Sequence, residues 1–261
     1  ALFGGLLTKV GIFAMLRALV VLLPASRDLL EPVLVTIAVA TLLIAPLGAI
    51  AETNLRRAIG FFVIGGVGSV LVGIALPSLA GVSGAGLYVF HAILTMTAFY
   101  LVAGLVESRT GQTDTRRMGG IYAASAPLSI LFFVLVLATA GVPPFLGFWP
   151  KLLLLQAGLG EGSWPGGLVA IALLANAVLT LIAGSRLWAH IFWRPTPEGA
   201  AVSSAPADAW LRVGTTGALV AIVVAAGLWP NGLFEVLRLG APDLLDPSRY
   251  VAAIGLAGGT P

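Results

Sequence analysis

Ala140-Gly141-Val142-Pro143-Pro144-Phe145-Leu146-Gly147-Phe148-Trp149-Pro150-Lys151 interrupts an apolar run that spans residues 122–158. That run is too long for one straight membrane crossing of about 20 residues. Proline has no N–H to donate and its ring clashes with the preceding turn, so Pro143-Pro144 should break a helix passing through them. The stretch reads as a first half-helix up to about 141 and a second from about 145, with the break near 141–147. Backbone groups freed at membrane depth survive only where protein or water satisfies them.

On either side of this stretch the composition is that of a membrane protein. Of the 261 residues, 59% are hydrophobic and only 10% charged, with a mean hydropathy of +1.04. A soluble domain carries about 25% charged residues, so this chain cannot cover a water-facing surface. Six further apolar stretches run over 2–22, 32–50, 58–80, 85–106, 165–189 and 208–229. With the interrupted one they predict an all-α, polytopic transmembrane bundle of about seven spans. Residues 1–230 form the bundle in this reading, and 231–261 an extramembrane, mildly amphipathic tail. The chain opens on Ala1 inside an apolar run, and sequence upstream of it is expected.

The net charge of +3 does not signal nucleic acid, because the arginines lie in short loops rather than in a basic stripe. Arg56, Arg57, Arg109, Arg116, Arg117 and Arg194 occupy one alternating set of connections. Arg27, Arg238 and Arg249 occupy the other. Loops rich in Lys and Arg face the cytoplasm. The 51–57, 107–120 and 190–207 segments are therefore expected inside a cell (plasma) membrane. Trp149, Trp164, Trp188, Trp193 and Trp229 fall near span ends, as an interfacial aromatic belt requires. Gly60, Gly65, Gly66, Gly68 and Gly73 crowd the third span, where small residues permit close helix packing.

With two histidines and no cysteine, the usual transition-metal and haem constellations are excluded, and no cofactor is expected. No phosphate-binding Gly-rich loop or Gly-x-Ser-x-Gly motif occurs. A self-contained enzyme is not expected. What needs explaining is the small set of ionisable residues at membrane depth: Lys9, His91 and Lys151. A charge at the bilayer centre costs about 2.5–3.5 kcal/mol on insertion scales, so such residues are functional candidates by default. Lys9 lies about 12 Å of helix from Ala1, and snorkelling from a helix end is its ordinary alternative. The same alternative holds for Lys151, which opens the second half-helix just past broken backbone. His91 has Thr95 one turn away, and an imidazole can pass protons near neutrality. Arg186 and His190, one turn apart, read as snorkelling residues at the span edge.

Several segments occur here in an order that points to a family. They are Gly4-Gly5-Leu6-Leu7-Thr8-Lys9-Val10-Gly11, Glu52-Thr53-Asn54-Leu55-Arg56-Arg57, the His91 helix, and the Pro143-Pro144 to Lys151 segment continuing through Gln156-Ala157-Gly158. The chain resembles the D-type subunits of the Mrp-type multisubunit sodium/proton antiporters, which are themselves similar to the antiporter-like, proton-pumping subunits of respiratory complex I. The resemblance implies spans eight to fourteen of a subunit built from two inverted five-helix repeats. Lys9 then matches the central lysine between two half-channels, and Lys151 the terminal lysine of the second. His91 matches a helix that often carries a His-x-x-x-Lys pattern, which fails here because the fourth position is Thr95. Thr95, Thr97 and Tyr100 could order water there. Glu52, Arg56, Pro143 and Pro144 are expected to support the site.

The function implied is proton conduction through Lys9, His91, Lys151 and water, within a sodium/proton antiporter whose partners are other membrane subunits. Two alternatives stay open. One is a homologous subunit of a redox-driven pump, an NADH-quinone oxidoreductase or a membrane-bound hydrogenase. The other is a non-conducting membrane scaffold.

Overall fold

The computed structural model describes residues 3–197, 209–246 and 248. Among them the helices are α1 (Gly5–Leu22), α2 (Pro24–Ala51), α3 (Leu55–Ala75), α4 (Leu79–Thr110), the short α5 (Ile121–Ala124), α6 (Ala126–Ala140), α7 (Phe148–Gly160), α8 (Trp164–Trp188), α9 (Ala209–Leu228) and α10 (Asn231–Leu245). Six stretches are long and apolar enough to cross a membrane. The interrupted pair α6 and α7 has its break at 141–147, as the prolines require. The part of the 190–207 segment from 198 onward lies outside the described residues, as do Arg249 and Pro247.

Four of the helix starts have a local cause. The Asn54 side chain accepts from the Arg57 N–H at the start of α3, Ser78 from the Gly81 N–H at α4, and Ser163 from the Gly166 N–H at α8. Pro24 opens α2 at a position where its missing N–H costs nothing. These caps shift several boundaries from the hydropathy reading. Arg27 to Glu31 belong to α2, Arg56 and Arg57 to the first turn of α3, and residues 81–84 to α4 rather than to a loop. Hydropathy alone misses these turns because they are polar or glycine-rich, yet capped.

The glycines of α3 serve packing. A Cβ at Gly68 would sit 3.1 Å from Thr41 of α2, and one at Gly73 would meet Ala85 of α4 at 2.6 Å. Toward the Arg-bearing side, Phe62, Phe99, Phe132 and Phe192 pack in sequence, with ring centroids 5.9, 5.2 and 5.5 Å apart. The tail helix α10 is amphipathic. Its Leu233 and Leu237 pack beside Trp149, while Glu235 and Arg238 pair at 2.7 Å on its exposed side. Trp164, Trp193 and Trp229 are largely exposed, as a belt needs. Trp149 is instead half-buried, its indole N–H donating to the Gly227 carbonyl near the end of α9 at 2.8 Å.

Candidate functional site

Lys151 enters the site because the Gly141–Gly147 break brings the first turn of α7 within side-chain reach of the end of α6. Gly141 closes α6 in the left-handed conformation, φ 85°, which a residue without Cβ adopts freely. The Lys151 ammonium donates to the Ala140 carbonyl at 2.8 Å and to Asn176 Oδ1 of α8 at 3.3 Å. Sequence position sets Lys151 in the first turn of the second half-helix. Its amine in fact reaches the carbonyl end of the first, where helix termini leave acceptors unpaired. The side chain is only 8% exposed.

His91, 1% exposed, projects from the middle of α4. Its Nδ1 shares a hydrogen bond with Thr95 Oγ1 at 3.1 Å, and its ring meets Tyr88 edge-on with centroids 5.5 Å apart. Gly147 of the break lies against it, since a Cβ there would come within 2.9 Å of His91 Cε1. His91 thus borders both the break that carries Lys151 and the Tyr88 ring, which meets Gly66 beside Lys9.

Lys9 is 1% exposed, and its Nζ has no hydrogen-bond partner among the described residues. It does not snorkel. Its amine points into the bundle toward Gly66 of α3, where a Cβ would lie 3.5 Å from Lys9 Nζ and 3.6 Å from the Tyr88 hydroxyl. Ser69 of α3 donates its hydroxyl to the Gly65 carbonyl at 3.4 Å. A buried amine without a partner is costly unless function retains it.

Of the residues read as supporting, Thr95 lies in the site. Pro143 and Pro144 shape the break beside it, joined by a cis peptide bond. Thr97 lies instead where Gly5 of α1 packs against α4. Glu52 and Arg56 lie outside the site and apart from each other. Glu52 Oε1 accepts the N–H groups of Thr53 and Asn54 at 2.9 Å each. Arg56 forks onto Glu107 at 2.6–2.8 Å. Both hold together a polar face to which all three arginine-bearing connections contribute. Thr53 O accepts the Thr115 N–H at 2.8 Å, Leu55 donates to Thr113 O at 3.0 Å, and Gly120 donates to Arg194 O at 2.7 Å.

Asn176, Tyr88 and Ser69 are site residues that hydropathy and charge did not single out. Asn176 carried a readable signal, being an amide in the middle of an apolar span. A cavity of about 10 Å³, room for about one water, is bordered by Gly65, Tyr88, Thr139, Asn176 and Thr180. Farther along the groove between α2 and α8, a cavity of about 100 Å³ on the arginine-bearing face is bordered by Glu52, Arg116, Arg186 and His190.

Residues 1–180 match the family model described as NADH:quinone oxidoreductase/Mrp antiporter, transmembrane. The chain is 29% identical to the D-type subunit of the Na(+)/H(+) antiporter of Alkalihalophilus pseudofirmus, over 97% of this chain and 50% of that protein. It superposes on a chain of the Mrp complex from Dietzia sp. with a TM-score of 0.85 at 26% identity, covering 97% of this chain and 54% of the other. It also superposes on a chain of the membrane-bound sulfane sulfur reductase, an archaeal respiratory membrane complex, with a TM-score of 0.76 at 26% identity, covering 96% and 50%. The chain thus spans about half the length of these relatives.

Proposed function

Because the chain belongs to the NADH:quinone oxidoreductase/Mrp antiporter transmembrane family, we propose that it is the proton-conducting half of a subunit in a multisubunit sodium/proton antiporter. It acts as a transporter component rather than a self-contained enzyme. The observation that carries this reading is the burial of Lys9, His91 and Lys151 in one bundle interior. Buried lysines cost stability, and a proton relay explains their retention. A proton on one of these groups raises the cost of a proton on its neighbour through Coulomb repulsion at low dielectric. Charge can therefore step along the membrane plane from Lys9 through His91 to Lys151, with water filling the gaps. The cavities along the α2–α8 groove favour aqueous access from the arginine-bearing face.

That face is cytoplasmic in this proposal, and the membrane is the cell membrane, because arginine-rich connections remain inside. The partners are further membrane subunits, with protons and sodium as cargo. The test is proton-coupled sodium efflux in vesicles holding the complete complex with the full-length subunit. Lys9→Ala and Lys151→Ala should each abolish efflux while the complex still assembles. Unchanged efflux in both variants overturns the relay.

The likeness to a respiratory membrane complex favours a second reading, a subunit of a redox-driven pump. Purification of the native complex separates the two. Iron–sulfur or flavin subunits in it mark a pump, and small membrane subunits alone mark an antiporter.

A further inference from the structure

Pro46 lies inside α2, buried. It has no N–H, so the carbonyl four residues earlier, that of Leu42, lacks its helical partner. The donor comes from across the bundle: Asn176 Nδ2 of α8 donates to Leu42 O at 2.8 Å, 134 residues away in sequence. A carbonyl oxygen only accepts, so the nitrogen of the amide must occupy that end. The oxygen is thereby turned the other way, and it lies 3.3 Å from Lys151 Nζ. Asn176 is 3% exposed and Leu42 fully buried, so bulk water does not compete for the Leu42 carbonyl.

We propose that Asn176 is a positioning residue for Lys151, its amide locked by the carbonyl that Pro46 frees so that its oxygen holds the amine at the α6–α7 break. The proline in α2, the amide in α8 and the lysine in α7 then act as one unit. Lys151 is gripped by two acceptors on different elements, Ala140 O and Asn176 Oδ1. Without Asn176 the amine keeps only the carbonyl of its own break and is free to swing about it. This inference rests on the relay reading of Lys151.

The ordinary alternative is that Asn176 merely satisfies an orphaned carbonyl, and a pair of substitutions distinguishes the two. Asn176→Leu removes both contacts at nearly constant volume. Adding Pro46→Ala restores an N–H to residue 46, so Leu42 O regains its helical partner while Lys151 still lacks the amide oxygen. The measurement is sodium efflux per assembled complex, with its pH profile, in vesicles carrying the full-length subunit. Asn176→Leu should lower turnover about tenfold, as expected when a buried hydrogen bond to a charged group is lost. It should also move the pH profile by about half a unit or more, because the surroundings of the titrating amine change. Both effects should persist when Pro46→Ala is added, although the assembled fraction recovers. If turnover and pH profile are unchanged in Asn176→Leu, or both return to normal in the double variant, the positioning role is wrong. Full efflux in Lys151→Ala would instead overturn the relay beneath it.

Discussion

The ammonium of Lys151 lies 2.8 Å from the carbonyl oxygen of Ala140, so a side chain from the second half-helix closes the open carbonyl end of the first. The break is thereby satisfied by the very group proposed to carry the proton. Lys151→Met keeps the length of the side chain and removes its charge. Efflux should fall by about a hundredfold, the usual contribution of a positioned proton-transfer group. A near-normal rate in assembled complex would remove Lys151 from the mechanism.

Gly141 is expected to be intolerant for two independent reasons. Its φ of 85° strains any residue with a Cβ by about 1–3 kcal/mol. The added carbon would also sit 2.7 Å from Lys151 Cδ. Gly141→Ala should lower both the yield of assembled complex and the efflux of what assembles. If the yield falls and turnover per complex does not, the glycine serves the turn alone.

Gly66 separates Lys9 from Tyr88. A Cβ there would lie 3.0 Å from Tyr88 Cε1 and 3.5 Å from Lys9 Nζ, close enough to crowd the ring but not to break α3. Gly66→Ala should leave assembly intact, since alanine favours helix over glycine by about 1 kcal/mol. It should slow efflux severalfold by narrowing the space at the amine. Unchanged efflux would place the proton path elsewhere around Lys9.

Thr95 is the hydrogen-bond partner of His91 Nδ1 at 3.1 Å, so the hydroxyl helps to choose which ring nitrogen carries the proton. Thr95→Val preserves shape and leaves that nitrogen unpaired, at a cost of about 1–3 kcal/mol. Efflux should drop about tenfold, and Thr95→Ser should restore most of it. Equal rates for the Val and Ser variants would reduce Thr95 to packing.

The polar face should loosen in acid. Two backbone N–H groups hold the Glu52 carboxyl below its ordinary range, and the Arg116 side chain does the same for Asp114. Groups with a depressed folded pKa contribute stability above their unfolded range and lose it as pH falls through the folded value. The protection factors of the Leu55 and Thr115 amides, which donate to Thr113 O and Thr53 O, should therefore fall on acidification and stay level above neutrality. Glu52→Gln should flatten part of this response. Loosening at alkaline pH would contradict the assignment.

Much of this arrangement is legible one residue at a time. The break follows from Pro143-Pro144, the spans from runs of apolar residues, and the candidate relay from three ionisable residues with no ordinary place in lipid. Other readings depend on what lies across the bundle. Glu52 and Arg56 stand close in sequence to each other, yet Arg56 turns to Glu107, 51 residues away. Trp149 sits at a span end by hydropathy, and the acceptor its N–H finds, Gly227 O, is 78 residues away. Neither pairing is readable along the chain, since a polar group chooses its partner in space.

Short stretches of the chain are enough to place this protein in lipid, to have it cross repeatedly with one broken helix, and to single out Lys9, His91 and Lys151. Hydropathy, proline geometry and the cost of buried charge are local properties, readable without a fold. The packed bundle alone reveals that Lys151 faces the end of α6, that Asn176 stands between Leu42 and Lys151, and that Lys9 has Gly66 and Tyr88 for neighbours. Those relations arise when helices remote in sequence pack their interior faces together. In lipid that packing is set by van der Waals fit and by the pairing of polar groups, neither of which is written in any one helix.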